Sequence, residues 1–588
     1  MMRMRNYFDK NLIQQVFNSN EFKGWLLSRR WFGDKSSLSN LAFRVTISYF
    51  KIVSERIFLT IIEITTQEYT KSYFLPMISY EKIQEILEPR EKTSGNIVKL
   101  TENTYSKMVA LNVYDKQKEK IISLNLVEAE YCVFFWKKML FDKKITEAFP
   151  ALSMALTLYS EQFEDEINMT KVRNLIEASL YPERYEYGLE QLGGGNTTNL
   201  LFLLKIYKKT ANKEPISYVL KSYKDYSGSL EPRTLFVLVK NNFPNAPKIY
   251  GTIKLQGKET IGILEDVSNI GNLGDIYWNE VNKMIYDVFK RVNDDYSYLN
   301  NKEYMSNMIK KHCGESLKVS EKIGFQIKKL HNALILKDDP LYSKEMVDSK
   351  DYLKNYTDNL NSMVSKILNY TSKKSEGAFY NSPKITSIFL DIKDIIEKFR
   401  SEFDIQQITI QPVHQDLHFQ QILYNKNNGD YMFYFIDFEG DPQLSQEERK
   451  DRFPIEKDLA SFLRSLSYIK FNTLLNFIEK KIVDKNKFEV PAEFLFSLYF
   501  RKSSKISKKH KTLEIALNLL NLWENKLMGK IFDKRLKLHF TLINYFTIER
   551  TLHELNYELL FRPNNIIIPI LGLVEILREG SKHNLRGD

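Results

Sequence analysis

The sequence H-Q-D-L-H-F-Q-Q-I-L-Y-N-K-N-N-G-D-Y-M-F-Y-F-I-D-F-E-G-D-P occupies positions 414–442. Asp416 opens it in a short, irregular setting, and Gln421 follows five residues later. An apolar run with the character of a β-strand then ends in Asp437, with Glu439 two residues further on. The order and spacing of these groups decide how the rest of the chain is interpreted.

Carboxylates and amides in this order suit the transfer of a phosphoryl group. Asp416 can accept the proton of a substrate hydroxyl and, more importantly, orient that hydroxyl for in-line attack. Gln421 and Asp437 offer oxygen atoms to Mg²⁺, and Glu439 is a possible second ligand. Protein kinases place an asparagine at the spacing of Gln421. The stretch therefore predicts a catalytic loop followed by a metal-binding carboxylate.

Two other interpretations of this stretch stay open. His414 and His418 flank Asp416 in an H-x-D-x-H pattern, which is rich in ligands for a transition metal and would suit a hydrolase. No third cluster of ligands follows nearby in the sequence, and the segments upstream would then go unexplained. The chain could also be a kinase-like protein that binds its ligands without catalysis.

A glycine turn lies upstream, in L-E-Q-L-G-G-G-N-T-T-N at 189–199. Its glycines allow a ligand to approach the backbone closely, and free N–H groups there can hold phosphates. A plain turn between two strands is the alternative, because the spacing fits neither the P-loop nor the dinucleotide-binding motif. The predicted ATP contacts in this turn are Gly193, Gly194, Gly195, Asn196 and Thr197.

Further candidates for ATP binding follow in chain order. Lys221 lies in the apolar strand P-I-S-Y-V-L-K-S-Y and needs an anionic partner if it is buried. Glu231 opens the next helical pattern and is the natural partner, as in kinases. The strand I-G-I-L-E-D-V-S-N then runs into a linker, where we expect backbone groups around Glu265 and Val267 to bind adenine.

Length and pattern together predict a multidomain α+β protein with a bilobal kinase-like fold. A chain of 588 residues exceeds one compact domain. We expect an N-terminal cap module of strands and helices at 1–180, a kinase N-lobe at 181–267, and a mainly helical C-lobe at 268–588. The last of these would carry the catalytic loop and the substrate pocket.

Composition narrows the partners and the location. The two cysteines form no disulfide or metal framework, and no signal peptide or membrane-length apolar run is apparent, so we expect a cytoplasmic protein without a membrane. The net charge of +11 is spread along the chain. The basic segment 501–511 lacks interleaved aromatic residues, so no nucleic-acid partner is expected.

Five motifs together resemble the maltokinase family and cover nearly the whole chain in the family's order. H-Q-D-L-H-F-Q-Q-I-L is similar to the family's H-G-D-x-H-x-x-Q-x-L, and I-D-F-E-G-D-P is similar to D-F-E-G-x-P. R-R-W-F-G-D-K-S resembles its N-terminal R-R-W-F-x-x-K signature. The helices at 457–468 and 553–563 resemble R-D-V-A-x-x-L-R-S-x-x-Y and Y-E-L-x-Y-E-x-x-x-R-P.

The resemblance implies a kinase fold like that of the aminoglycoside phosphotransferases, behind an N-terminal cap. It implies ATP- and Mg²⁺-dependent phosphorylation of maltose at the anomeric hydroxyl, a step that in the family feeds α-glucan synthesis. By position, Asp416 is the base, and Gln421 and Asp437 are the magnesium ligands. The residues expected around the sugar are His418, Arg464, Glu554 and Tyr557; Arg464 could also pair with an acid of the active-site loop such as Glu439.

Departures from the family pattern put the substrate in question. Gln415 and Gln420 stand where the family has glycine, and both add bulk to the catalytic loop. Enzymes with the same skeleton, the actinobacterial glucosamine kinases, phosphorylate a hexosamine. A kinase for glucosamine or another small-molecule sugar is therefore the alternative to a maltose kinase.

Overall fold

The computed structural model describes most of the chain, with gaps. The described residues are 9–33, 43–54, 56–66, 69–80, 97–99, 108–115, 120–193, 198–209, 214–290, 294–373, 383–401, 407–482, 491–500, 507–532, 539–562 and 565–583. They fall into two compact units. Unit 1 comprises Met1–Lys240 and Pro247–Val267, and unit 2 comprises Asn241–Ala246 and Ser268–Asp588.

The described residues of unit 1 form two sheets and six α-helices. Its strands are β1 (Arg44–Ile52), β2 (Ile57–Thr65), β3 (Thr70–Phe74), β4 (Met77–Tyr80), β5 (Ile97–Lys99), β6 (Met108–Asp115), β7 (Lys120–Glu128), β8 (Met154–Leu158), β9 (Tyr185–Leu192), β10 (Leu200–Lys208), β11 (Ile216–Ser222), β12 (Ile249–Leu255) and β13 (Lys258–Glu265). Its helices are α1 (Lys10–Phe17), α2 (Asn20–Ser28), α3 (Val133–Phe141), α4 (Lys143–Ala148), α5 (Glu166–Leu180) and α6 (Glu231–Lys240).

The burial of each strand explains its place in these sheets. β2 reads I-F-L-T-I-I-E-I-T and is buried along most of both faces, as expected of a strand with neighbours on either side. It pairs with β1, β3 and β4 in a six-stranded sheet. β10 alternates buried and half-buried residues with the period of two that marks one covered face. It lies between β9 and β11 in a seven-stranded sheet of order β5-β9-β10-β11-β13-β12-β8.

The predicted modules 1–180 and 181–267 share one hydrophobic core within unit 1. A single cluster of buried residues runs from Ile13 in α1 to Ile263 in β13. Residues before 180 also supply two strands, β5 and β8, to the seven-stranded sheet that contains the lysine strand β11.

A buried charge cluster joins the R-R-W-F segment to the end of β11. Lys224 is fully buried and contacts Glu130 at 2.5 Å and Glu128 at 3.4 Å. Trp31 donates its indole N–H to Glu128 at 2.7 Å, and Lys224 lies 5.0 Å from the centre of the Trp31 ring. Arg29 is 3.7 Å from the second oxygen of Glu128. Opposite charges therefore accompany one another into the core, which is the condition for burying them.

Unit 2 is mainly helical, with two small sheets. Its helices are α7 (Leu273–Val288), α8 (Lys302–His312), α9 (Gly314–Ala333), α10 (Ser349–Lys373), α11 (Pro383–Ser401), α12 (Glu456–Phe477), α13 (Pro491–Phe500), α14 (Lys508–Ile531), α15 (Phe540–Phe561) and α16 (Ile567–His583). Its strands are β14 (Gly271–Asn272), β15 (Glu345–Asp348), β16 (Gln407–Ile410), β17 (Ile422–Asn427) and β18 (Asp430–Phe435). β14, β17 and β18 form one sheet, and β15 pairs with β16.

The predicted α+β class is confirmed. The sheet that contains the lysine strand is antiparallel except where β5 pairs with β9, and the helix with Glu231 follows that strand. The mainly helical unit contains the segment 414–442 between β16 and α12. Among the described residues, no helix is long and apolar enough to cross a membrane. Arg501, Lys502 and Lys505 of the basic segment lie outside the described residues, and α14 begins at Lys508.

Close packing of α9 against α14 gives a first prediction. A Cβ added at Gly324 would collide with the backbone carbonyl oxygen of Ile531 at the end of α14. Gly324→Ala should therefore lower the free energy of unfolding by about 1–3 kcal/mol, measured by chemical denaturation. Gly529→Ala is the matched control, because a Cβ added there meets no atom within 4 Å. Alanine is also more favourable than glycine inside a helix, so this variant should not lose stability. Equal stability of the two variants would contradict this packing.

Candidate active site

One buried carboxylate holds the loop that follows β16. Asp458, in the first turn of α12, is fully buried and accepts the backbone N–H of Gln415 at 2.7 Å and that of His414 at 2.8 Å. His331 of α9 approaches the same carboxylate at 2.9 Å. Hydrogen bonds to an ionised group are stronger than neutral ones. Asp458 therefore anchors the loop that contains His414 and Gln415 to α12.

The backbone explains why a glycine suits the position of Gln415. Its φ is 69°, in the left-handed region that side chains rarely adopt. Two hydrogen bonds hold the Gln415 side chain there: its amide donates to the carbonyl of Arg449 at 2.6 Å, and its oxygen accepts the N–H of Asp441 at 3.2 Å. The extra bulk predicted from the sequence is thus packed against the segment after Asp437.

Asp416, the predicted base, is buried and paired with a cation. Its Oδ1 lies 2.6 Å from the guanidinium of Arg550 on α15, and its Oδ2 lies 3.6 Å from Nε2 of His418. Burial would raise the pKa of Asp416, but Arg550 and then His418 outweigh it and hold the pKa below its usual value. The same pairing raises the pKa of Arg550 despite its burial. The loop therefore presents an ionised carboxylate.

Gln421 and Asp437, the predicted metal ligands, lie in direct contact. The Gln421 amide donates to Oδ2 of Asp437 at 2.9 Å. An oxygen of Glu439 lies within 4.8 Å of an oxygen of Asp437. Asp437 has a φ of 67°, and such backbone strain is often found at functional sites. One or two carboxylates with an amide oxygen are a donor set that suits Mg²⁺, so these residues fit the predicted ion.

The buried residue Asp441 lies next in the chain and was not predicted. It pairs with His553 of α15 at 3.2 Å and accepts the N–H of Gln443 at 2.9 Å. Burial would raise its pKa, but His553 outweighs this and holds the pKa far below its usual value. Asp441 thereby ties the D-F-E-G-D-P segment to the same helix that provides Arg550.

Arg464 is buried and pairs with Glu554, not with Glu439 as suggested. Its Nε donates to Glu554 at 2.8 Å, and its other nitrogens donate to Ser467 and to the carbonyl of Ile568. Gly572 leaves room for this guanidinium, since a Cβ there would lie 2.5 Å from Nη1. Arg464 therefore sets the position of Glu554 from behind.

Unit 2 contains a cavity of about 460 Å³ that is lined by His418 and Arg550, the two side chains paired with Asp416. Its lining combines aromatic rings, carboxylates, cations, amides and hydroxyl groups: Asn272, Gly274, Asp275, Trp278, His418, Phe419, Gln420, Ser465, Tyr468, Ile469, Arg550, Glu554, Glu558 and Arg562. His418 and Glu554, both predicted to contact substrate, are among them. Tyr557 is not among these described lining residues; it is 41% exposed and lies beneath the guanidinium of Arg562.

Glu558 is a carboxylate of this cavity that the sequence analysis did not select. Tyr468 donates its hydroxyl to Oε1 of Glu558 at 2.9 Å. The other oxygen, Oε2, is buried and has no hydrogen-bond partner among the described residues. Burial raises the pKa of Glu558. Glu558 therefore adds a further carboxylate to the residues that line the cavity.

In unit 1, the structure places the predicted lysine and glutamate together. Nζ of Lys221 in β11 lies 2.7 Å from Oε2 of Glu231 in α6, and both side chains are almost fully buried. Tyr223 donates to the same oxygen at 3.0 Å. Gly262 of β13 makes room for Tyr223, because a Cβ there would lie 2.8 Å from the tyrosine hydroxyl.

The other predicted ATP contacts in unit 1 are partly described. Gly193 has a φ of 74° at the end of β9, while Gly194, Gly195, Asn196 and Thr197 lie outside the described residues. Glu265 ends β13 and accepts the N–H of Lys248 at 3.0 Å; its pKa is raised, mainly by burial. Val267 is buried at the end of unit 1.

The two histidines of the H-x-D-x-H pattern have separate contacts. Nε2 of His414 lies 2.9 Å from the carbonyl oxygen of Ile436, and Nδ1 of His418 accepts the N–H of Gln420 at 3.2 Å. In the part of the chain that the structure describes, neither joins two other histidine, cysteine or acidic side chains within 4.8 Å. Nothing in this arrangement favours the transition-metal hydrolase.

Arg550 and Glu558 could have been found from helical spacing. Both lie four residues from Glu554 on α15, so the three side chains share one face of the helix. The motif comparison in the sequence selected Glu554 and Tyr557, and Tyr557 is not among the described residues that line the cavity. Asp441 carried no comparable signal, because its partner His553 is distant in sequence.

No protein-family model matches the chain. Among solved structures, the chain is similar to a glucosamine kinase in crystal form A, at 12% identity over 92% of this chain and 95% of that one, with a TM-score of 0.48. A glucosamine kinase in complex with glucosamine, ADP and inorganic phosphate matches at 15% identity over 70% and 87%, with a TM-score of 0.42. A Plasmodium vivax ethanolamine kinase matches at 14% over 71% and 90%, with a TM-score of 0.32. Values this low support no statement about what this chain binds.

The anchor of the loop gives a second prediction. Asp458→Asn places an N–H₂ group against a backbone donor and removes the charge from its hydrogen bonds. We expect the free energy of unfolding to fall by roughly 1.5–3 kcal/mol, measured by urea denaturation. Asp430→Asn is the control, since Asp430 pairs with Lys322 at the surface and should leave stability nearly unchanged. An unchanged midpoint for Asp458→Asn would argue against the anchoring role.

Proposed function

We propose that this protein is an ATP-dependent sugar kinase. The observation that carries the proposal is that His418 and Arg550, the two side chains paired with Asp416, both line the polar and aromatic cavity of unit 2. An ionised carboxylate is thereby held at the edge of a cavity large enough for a small ligand. The Gln421–Asp437 pair follows in the same segment.

In this proposal, the chain's own residues orient the acceptor and hold the nucleotide. Asp416 accepts the hydrogen bond of the sugar hydroxyl and receives its proton as the oxygen attacks the terminal phosphorus of ATP and the bond to ADP breaks. Lys221, held by Glu231, offers its charge to the phosphates. Gln421, Asp437 and Glu439 would hold Mg²⁺, which neutralises charge on the phosphates when bound.

The composition of the cavity supports a sugar as the acceptor. Trp278 and Tyr468 present aromatic surface, which suits the apolar faces of a sugar ring, while Glu558, Glu554 and Asn272 accept or donate hydrogen bonds. Maltose, phosphorylated at the anomeric hydroxyl to give maltose 1-phosphate, is the first candidate on the motif resemblance. Glucosamine is the second, since the carboxylate of Glu558 in the cavity lining would suit a substrate with a strong donor such as an ammonium group.

The role of Asp416 gives a third prediction. Asp416→Asn keeps the shape of the side chain but cannot accept the proton, so sugar-dependent release of ADP should fall by about 10²–10⁴. Asp430→Asn, on the exposed turn after β17, should retain wild-type turnover. Activity of Asp416→Asn within about tenfold of the wild type would contradict the assignment.

The carboxylate of Glu558 gives a fourth prediction, which distinguishes glucosamine from maltose as the substrate. Glu558→Gln keeps the size of the side chain and removes its charge. If the substrate is an amino sugar, KM should rise by about tenfold or more, because a hydrogen bond between two charged groups is lost. With maltose, the same change should alter KM much less. Steady-state kinetics with both sugars, followed by mapping the phosphate to C1 or C6, measures this difference.

A kinase-like protein that binds without catalysis is the alternative from another class. Incubation of the wild-type protein with ATP, Mg²⁺ and a panel of maltose, glucosamine, glucose and trehalose distinguishes the two. Stimulation of ADP release by one sugar supports the kinase. Binding of a sugar or of ATP without any turnover would favour the binding protein.

A further inference from the structure

We propose that Arg550 is the positioning residue that orients Asp416 for the reaction, an inference that rests on the proposed kinase function. Arg550 lies on α15, far in sequence from the catalytic loop, and none of the motifs selected it. Nη1 of Arg550 lies 2.6 Å from Oδ1 of Asp416, and both side chains are largely buried. This distance is that of a close ion pair.

Arg550 is the second member of a chain of four alternating charges, namely Asp416, Arg550, Glu554 and Arg464. Its Nε lies 3.9 Å from Oε1 of Glu554, one turn further along α15. Glu554 in turn accepts from Arg464 at 2.8 Å, and Arg464 is fixed by Ser467 and by the carbonyl of Ile568. The guanidinium of Arg550 therefore lies between two carboxylates. Its fixed position in turn restricts the orientation of the Asp416 side chain.

The contact decides which oxygen of Asp416 can act. Oδ1 faces Arg550, whereas Oδ2 has only the longer approach of His418, at 3.6 Å. Since His418 and Arg550 line the cavity, Oδ2 is the oxygen left to accept the hydroxyl of a bound substrate. An ionised carboxylate has two equivalent oxygens that can accept a hydrogen bond. When a cation holds one of them, only the other can accept the substrate hydroxyl, and this fixed orientation accelerates the reaction.

The charge of Arg550 also has a consequence for pH. The charged groups that act on Asp416 are Arg550 on α15, His418 on its own loop, and Asp441 after β18. Arg550 favours the ionised form of Asp416, and Asp441 opposes it. Removal of Arg550 should therefore raise the pKa of Asp416 and move the acidic limb of the rate profile to higher pH. A group with a purely structural role would lower stability without moving that limb.

The test compares Arg550→Gln with the charge-conserving Arg550→Lys. Arg550→Gln should lower kcat by about 10²-fold, the effect of losing orientation, with the KM for ATP unchanged and the acidic limb shifted upward. Arg550→Lys should recover part of the rate and restore the acidic limb. Arg173→Gln is the control, because Arg173 forms an exposed ion pair with Glu166 in unit 1 and should behave as the wild type.

A double-mutant cycle decides whether Arg550 acts through Asp416. In the Asp416→Asn background, Arg550→Gln should cause no further loss of kcat, since residues that act as a unit are not additive. Additive losses, an unmoved acidic limb, or a wild-type kcat for Arg550→Gln would each overturn the proposal.

Thermal unfolding of the wild type, the two single variants and the double variant tests the Arg550–Asp416 pair without any activity assay. It therefore distinguishes failure of the pairing from failure of the proposed kinase function. If the wild type turns over no sugar, the kinase proposal fails, and the cycle in melting temperature still tests the pairing. Coupling between the two changes supports the ion pair, and its absence overturns it.

Discussion

The loop that contains Asp416 depends on a buried carboxylate that takes no part in the proposed chemistry. Asp458 accepts two consecutive backbone N–H groups, those of His414 and Gln415, and also contacts His331. Buried backbone N–H groups without a partner would destabilise an irregular loop. The Asp458 carboxylate provides the acceptors that a sheet or helix would otherwise provide. Because Gln415 adopts a left-handed conformation, this support also holds a strained residue in place.

Buried charges elsewhere follow the same rule of pairing. Lys221 meets Glu231, Arg464 meets Glu554, and Lys470 meets both Glu524 and Glu575. An isolated charge in a protein interior would be strongly destabilising, whereas a paired one is tolerated and fixes geometry. The pairs are therefore less a source of stability than a means of setting where side chains lie. At Asp416, the pairing with Arg550 lowers the pKa of the carboxylate and so favours its ionised form.

The sequence predicted the local part of the candidate site well. The spacing placed Gln421 before one strand of a hairpin and Asp437 after the other, and these two predicted ligands lie 2.9 Å apart because β17 and β18 pair directly. Lys221 and Glu231 followed from the need of a buried ammonium for an anion. The suggestion that Arg464 pairs with Glu439 was wrong, since the helix α15 brings Glu554 to it over a separation of 90 residues. Roles in chemistry for all of these residues stay predictions.

The sequence by itself determined the α+β class, the order of the predicted catalytic groups, and the strand and helix that provide the buried lysine pair. These features depend on spacing along one segment, where periodicity and chain connectivity leave few arrangements. Only the tertiary structure decided that Arg550 faces Asp416 and that Asp441 meets His553. Such contacts join segments more than 100 residues apart, and their geometry depends on how α15 packs beside the loop and α12.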